Sequence, residues 1–359
     1  MIPLFKVWMS PFASGRVATV LNSGYIGQGP VVEAFEAALA QRIGTPNVLS
    51  TNSGTSAIDL ALACIGVGPG DEVISTPMTC SATNMPIHNR GATIVWADID
   101  SRSGLISPES IEAAITPRTK AIVVVDWAGE RSDVEAIRRF SQLPILIDAA
   151  HRAPVHDDRY APGAQVLVAY SFQAIKFLTT GDGGALLVPE AHYRDAKLRR
   201  WFGLDRESSA DFRCAQRITL DGYKYHMTDI DAAIGLANLE GLDARIARQR
   251  MVAFLYRGQG IRLSGYPDSH FWVAFLHVND REGFQRFMAD RDIATSLVHS
   301  RNDLHPVFAN GRNPSPLSGL DSFDKTYIAI PCGWWLTDAE VEHISSSVLA
   351  WEKSHGRPE

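Results

Sequence analysis

Lys176 stands in Ser171-Phe172-Gln173-Ala174-Ile175-Lys176, at the head of a loop rich in Ser, Thr and Gly that separates two apolar runs, Val166–Tyr170 and Ala185–Val188. An amine caught between buried strands loses hydration, its pKa falls, and it becomes a nucleophile towards an aldehyde. Taken alone, the stretch reads equally well as a hairpin turn that carries a lysine. Asp148 closes another apolar run, Pro144-Ile145-Leu146-Ile147, where its carboxylate can face a positive charge or simply cap a helix. Thr51-Asn52-Ser53-Gly54-Thr55-Ser56 leads into the apolar stretch Ala57–Ile65. Small polar residues opening a helix offer free N–H groups and short hydroxyls, which suit a phosphate or serve as an ordinary N-cap.

These residues need elements that bring strand ends together. Residues 1–28 have weak periodicity and read as a leader segment with one short helix near Ser14–Asn22. A helix starts at Pro30, with Val32, Phe35, Leu39 and Ile43 on one face and Gly44 just past its end. Strands are expected at Glu72–Thr76, Ala92–Asp98, Lys120–Asp126, Pro144–Asp148, Val166–Tyr170 and Ala185–Val188. Between them fall helices at Cys80–Asn89, from Ser107-Pro108-Glu109 to Ile115, and up to Phe140 behind a capping box of Ser132 and Glu135. Such alternation predicts a largely parallel sheet covered on both faces, with ligands at the carboxyl ends of its strands, where Asp126, Asp148 and Ser171 lie.

Further on, helices are expected at Glu190–Trp201, Thr228–Leu242 and Asp243–Gly258, the last bridging to a second domain, with a polar loop over Arg206–Tyr225. A strand at His270–Val278, a helix at Asp280–Arg291, a loop at His305–Asp321 and a closing helix capped by Thr337 and Glu340 complete the chain. The expected organisation is α/β, with a large domain over 1–242 and a small C-terminal α+β domain over 243–359.

Composition narrows the function classes. The 359 residues are 45% hydrophobic and carry a formal net charge of −6 with both signs interspersed, so nucleic acid is not an expected partner. No apolar stretch is long enough to span a bilayer, Met1–Lys6 does not form a signal peptide, and a soluble cytoplasmic protein is expected. Cys64, Cys80, Cys214 and Cys332 are far apart and suggest neither a disulfide framework nor a metal site.

A hydroxyl-rich helix start, a strand-end aspartate and a serine five residues before a lysine, in that order, are the parts that hold pyridoxal phosphate. At these residues the chain resembles the DegT/StrS-type sugar-nucleotide aminotransferases, a branch of the fold type I pyridoxal-phosphate enzymes. The likeness is carried by Ser23-Gly24-Tyr25-Ile26-Gly27-Gln28-Gly29-Pro30, Asn52-Ser53-Gly54-Thr55-Ser56-Ala57 and Gly68-Pro69-Gly70-Asp71-Glu72-Val73. It continues through Asp148-Ala149-Ala150-His151, Ser171–Lys176 and Gly222-Tyr223-Lys224-Tyr225-His226-Met227-Thr228-Asp229-Ile230, and is weaker after about residue 240.

The resemblance implies that Lys176 and Asp148 are catalytic, with Lys176 joined to the cofactor aldehyde and shuttling a proton, and Asp148 paired with the pyridinium nitrogen. It implies that Gly54, Thr55, Ser56 and Ser171 hold the phosphate. The implied reaction is ping-pong, from an amino acid, usually glutamate, to a keto-sugar on a nucleoside diphosphate, in a homodimer with shared active sites. Departures from the family pattern are His151 where glutamine commonly reaches the cofactor's ring hydroxyl, and Cys80 where an aromatic commonly stacks on the ring. Lys224 stands where asparagine commonly crosses the dimer to the phosphate, and is expected to serve the cofactor or substrate phosphate. The connection between Arg257 and Phe271 is short for the family. His299 and His305 can approach the substrate but are not assigned to catalysis.

Other readings use the same scaffold: a sugar dehydratase, amino transfer to a non-nucleotide ketone such as a cyclitol, or a non-catalytic regulatory protein. Relatives of the dehydratase kind carry histidine in place of the lysine, and the joint presence of Lys176, Asp148 and Ser171 argues against a non-catalytic role.

Overall fold

The architecture was obtained as a computed structural model, which describes residues 1–160, 165–208, 211, 213–266 and 268–356. Its N-terminal part alternates helix and strand. The order is α1 (Ala13–Ser23), α2 (Pro30–Ile43), β1 (Val48–Thr51), α3 (Gly54–Ile65), β2 (Glu72–Ser75), α4 (Ser81–Asn89), β3 (Thr93–Trp96), α5 (Pro108–Ala114) and β4 (Thr119–Val125). There follow α6 (Val134–Arg138), β5 (Ile145–Asp148), β6 (Val166–Ser171), β7 (Gly184–Leu187), α7 (Glu190–Arg199) and α8 (Asp229–Leu239). The chain ends with α9 (Leu242–Gly258), β8 (Ala274–His277), α10 (Arg281–Ala289), α11 (Ser318–Thr326), β9 (Tyr327–Ile330) and α12 (Asp338–His355).

Seven strands form one sheet in the order β1-β7-β6-β5-β4-β2-β3, parallel throughout except that β7 runs antiparallel to both neighbours. The central strands are buried along nearly their whole length, Lys120 of β4 being half-buried, as near-continuous Val/Ile/Leu runs between two helical layers require. Pairing of Thr51 with Gly184, and of Ser171 with Gly184, places the turns after β1 and β6 and the turn before β7 at one edge. Gly184 is indispensable there, because a Cβ on it would lie 2.6 Å from the Ser53 carbonyl. β1 escapes sequence reading, being four residues without room for a period.

Two differences from the sequence expectations have local causes. The first turn of α6 is capped by Asp133, which accepts from the Ala136 amide at 2.8 Å, rather than by Ser132 and Glu135. Ser132 is drawn inward instead, donating its hydroxyl to the Val125 carbonyl and its amide to Asp126. The strand expected at His270–Val278 starts only at Ala274, because Phe271 adopts a left-handed φ of 51° that breaks the extended path. The capping box of Thr337 and Glu340 on α12 is present as read. Ser209, Ala210 and Phe212, within the polar loop expected at Arg206–Tyr225, lie outside the described residues.

α9 belongs to both halves of the molecule. Leu242 and Ile246 pack under the large sheet, whereas Val252, Ala253 and Tyr256 enter a second core with β8, β9, α10 and α12. The leader also crosses over. Ile2 pairs with Ile293, Phe5 stacks on Trp272 at 4.8 Å, and Ser10 donates to Asn238 of α8.

Candidate active site

The carboxyl ends of β5 and β6 carry the chemistry. Asp148 is the last residue of β5 and is buried. Its Oδ1 accepts from the Ala150 amide at 3.0 Å and its Oδ2 from the Thr83 hydroxyl at 2.6 Å. Burial pushes this carboxyl upward, opposed by those two donors and by the charge of Lys176. Because Thr83 spends its one proton on Asp148, the 2.7 Å contact between Thr79 and Thr83 must be donated by Thr79.

Lys176 lies on the turn after β6, where its amide donates to the Gln173 carbonyl. Burial of its amine lowers the pKa to about 8 in spite of the opposing pull of Asp148 and Cys80. An appreciable fraction is therefore the nucleophilic free base near neutrality. Lys176, Asp148 and Cys80 are thus brought within electrostatic reach of one another.

His151 joins them. Its ring is buried, stacks on Trp272 at 3.8 Å, and accepts the Ala128 amide at Nδ1 at 3.3 Å. Burial and the Lys176 charge hold it neutral. With Nδ1 accepting, the proton sits on Nε2, so that this nitrogen can donate as glutamine would.

At the other end, α3 points its N-terminus at Ser171. A Cβ built on Gly54 would lie 2.9 Å from the Ser171 Cβ, so only glycine permits this approach. The first-turn N–H groups of Gly54 and Thr55 have no carbonyl within the helix to pair with, and Thr55 is exposed. Ser56 is turned inward, its amide bonded to Ser53 Oγ and its hydroxyl to Asn52 Oδ1. Lys224 has its side chain exposed. Its backbone carbonyl accepts from the side-chain amide of Asn52 at 3.1 Å, which sets it beside the loop that opens α3.

The C-terminal half supplies a wall that sequence patterns do not announce. Trp272 places its ring 3.9 Å from the Lys176 amine and donates its indole N–H to the Ile175 carbonyl at 3.1 Å. His299 lies parallel to His151 at 5.5 Å, held neutral by burial with a pKa of about 4, and its Nε2 is buried without a partner. Val298 before it has a left-handed φ of 65°, unusual for a β-branched residue and of the kind found at binding sites. Further along the loop, Asn302 is tied to α4 and the segment before it, its side-chain amide donating to the Thr79 carbonyl and its oxygen accepting from Asn84. Thr79 to Thr83 is an i, i+4 spacing that could have exposed the Thr83 role in sequence. Nothing comparable marks Trp272.

The residues fit pyridoxal phosphate: a buried carboxylate for a cationic ring nitrogen, a free amine, an imidazole N–H and a glycine-opened cradle at a helix N-terminus. Among the described residues no group of three or more His, Cys, Asp or Glu is placed to hold a metal ion, and no helix is long and apolar enough to cross a membrane. Fold and site together define a pyridoxal-phosphate enzyme of fold type I. A model of the DegT/DnrJ/EryC1/StrS aminotransferase family matches residues 10–349, and the chain belongs to that family of sugar aminotransferases. Its cofactor is pyridoxal 5'-phosphate.

Solved structures agree. The chain is similar to AtS13 from Actinomadura melliaura, with 39% identity, 98% of each chain covered and a TM-score of 0.91. It is similar to the sugar aminotransferase CalS13 from Micromonospora echinospora at 36% identity, covering 98% of this chain and 100% of that one, with a TM-score of 0.90. Helicobacter pylori PseC, an aminotransferase involved in the biosynthesis of pseudoaminic acid, is 25% identical, with 98% and 99% coverage and a TM-score of 0.87.

Proposed function

We propose that the chain transfers an amino group from an amino acid, L-glutamate in the first instance, to a keto-deoxy sugar carried on a nucleoside diphosphate. The observation that carries this reading is the meeting of a desolvated Lys176 amine with the Asp148 carboxylate beside the Gly54–Ser171 cradle. Membership of a sugar aminotransferase family supports the sugar acceptor. The nucleotide is proposed from the resemblance in the segments that carry the site.

Pyridoxal phosphate, when bound, supplies an aldehyde and a cationic ring that accepts the electron pair released as a C–H bond breaks. Lys176 would hold the cofactor through its Nζ and, when that amine is free, would move a proton. Asp148 keeps the ring nitrogen protonated, its two oxygens oriented by Ala150 and Thr83. His151 would donate from Nε2 to the ring hydroxyl, and Gly54, Thr55 and Ser171 would hold the phosphate end, whereas the sequence-expected Ser56 spends its hydroxyl on Asn52 and is turned away from it. Cys80 packs beside the amine. The working unit is a homodimer in which Lys224 reaches a phosphate in the partner's site. The division into a cofactor domain over 1–242 and a small domain over 243–359 accompanies this reading, with α9 spanning the boundary.

The test is amination of a panel of nucleotide-linked keto-sugars with glutamate, read by product mass and NMR, after borohydride reduction and peptide mapping of the cofactor-bearing lysine. Label on Lys176 and one aminated sugar are the expected results. Label on a different lysine, or amination only of free cyclitol ketones, overturns the reading.

A further inference from the structure

We propose that Trp272 is a positioning residue for Lys176, docking the ε-amine on its indole face during the half of the cycle in which that amine is not joined to the cofactor. The proposal rests on the reading of Lys176 as the cofactor-bearing lysine. In that half-cycle the freed amine must neither wander nor be captured, because it has to return a proton and later rejoin the cofactor.

Two contacts bind Trp272 to the lysine turn. The Lys176 amine lies 3.9 Å from the ring centroid, well within the range of cation–π attraction. The indole N–H donates to the carbonyl of Ile175, the residue immediately before the lysine. One side chain therefore holds both the tip of Lys176 and the backbone from which it springs. His151 and Phe5 stack on the same indole at 3.8 and 4.8 Å, which fixes its plane.

The backbone that delivers Trp272 is strained and over-determined. Phe271 has a φ of 51°, a left-handed conformation that strains a non-glycine residue. It is held by the Gln249 amide on its carbonyl at 2.6 Å and by the Ser269 hydroxyl on its amide at 3.0 Å. Gly129 lies against both residues, and a Cβ there would approach the amides of Phe271 and Trp272 to 3.0 and 3.1 Å. A purely packing tryptophan needs no such backbone.

The groups facing the amine are Asp148 from β5, Cys80 from the start of α4, and the neutral imidazoles of His151 and His299. Asp148 attracts the ammonium, but it is committed to the ring nitrogen once the cofactor is bound. The indole face, with Cys80, is then left to stabilise the protonated amine. In a desolvated site that surface shifts the amine's titration upward.

The experiment uses holoenzyme in the pyridoxamine form, in which Lys176 is free. Trace acetylation with acetic anhydride from pH 6 to 10, quantified by peptide mass spectrometry against exposed Lys325, gives the Lys176 midpoint in wild type, Trp272→Phe and Trp272→Leu. Phenylalanine keeps a π face and leucine keeps only bulk, so the Phe variant should titrate about half a unit or more above the Leu variant. Equal midpoints, or a higher one for leucine, overturn the docking role. If the Leu variant does not fold, Trp272→Phe decides through amide exchange of residues 173–177. Several-fold faster exchange is expected on losing the bond to Ile175, and unchanged exchange overturns the proposal. Borohydride mapping of wild type separates the two layers, since absence of label on Lys176 sinks the parent reading instead.

Discussion

The floor and the wall of the site are built in different ways. The floor, made of Gly54, Asp148, His151, Ser171 and Lys176, comes from strand ends and the turns directly after them, so each residue's chemistry is tied to a local element. The wall, made of Trp272, His299 and Asn302, comes from a strained segment and an irregular loop of the C-terminal half. No period or motif specifies it, and its geometry is enforced by hydrogen bonds from Gln249 of α9 to Phe271, from Trp272 to Ile175 beside Lys176, and from Asn302 to Thr79. A site can thus be announced by one part of its residues while Trp272 and Asn302 stay invisible until the chain is folded, and His299 is marked in sequence only as able to approach the substrate.

The floor should break hardest. Lys176→Ala is expected to lower turnover about 10³-fold or more and to abolish borohydride labelling, with the protein still folded by circular dichroism. Asp148→Asn, nearly isosteric, should retain some cofactor yet lose about 10²–10⁴ in turnover, because the ring nitrogen is no longer held protonated. Near wild-type turnover in Asp148→Asn would reduce that aspartate to a cap.

Thr83→Val sharpens the comparison from within the floor. It removes a hydrogen bond to an ionised group, worth about 1.5–3 kcal/mol, so roughly a tenfold or greater loss in kcat/KM is expected. The sign with pH follows from the same bond. The carboxylate form of Asp148 loses a donor, its pKa rises further, and the acid limb of the kcat/KM profile moves to higher pH. An unmoved limb would show that Thr83 does not act through Asp148.

Asn302→Ala probes the wall. It leaves the Thr79 carbonyl without its Asn302 donor and takes one acceptor from the Asn84 amide, which keeps the Thr76 carbonyl, at a cost of about 1–3 kcal/mol. Thermal unfolding should fall by a few degrees, and KM for the acceptor should rise more than kcat falls, since the loop carrying His299 loosens. Equal changes in both parameters would place His299 outside the acceptor site.

The smallest effect is expected at Lys224. Lys224→Ala should raise either the cofactor Kd or the acceptor KM several-fold, and the parameter affected identifies the phosphate it serves. Mixing Lys224→Ala with Lys176→Ala protein should restore activity in heterodimers that keep one intact site. Unchanged affinities with no complementation would leave Lys224 a solvated surface charge.

The sequence by itself determined the alternation of strands and helices, the largely parallel sheet, and the placing of Asp148 at a strand end and Lys176 in the turn after another, from which their chemistry is proposed. These are local matters: apolar runs must be buried, Pro30 and Gly44 punctuate a helix, and a strand-end residue sits where ligands collect. Tertiary structure alone decided the rest. It made β1 a strand by pairing it with β7, turned Ser56 away from the cradle and passed the helix cap from Ser132 to Asp133. It also broke the strand before Ala274 so that Trp272 could meet Lys176. Each of these depends on a partner some distance away in the chain or on competition between neighbouring hydrogen-bond donors. A one-dimensional pattern does not encode which of two satisfied arrangements has the lower free energy.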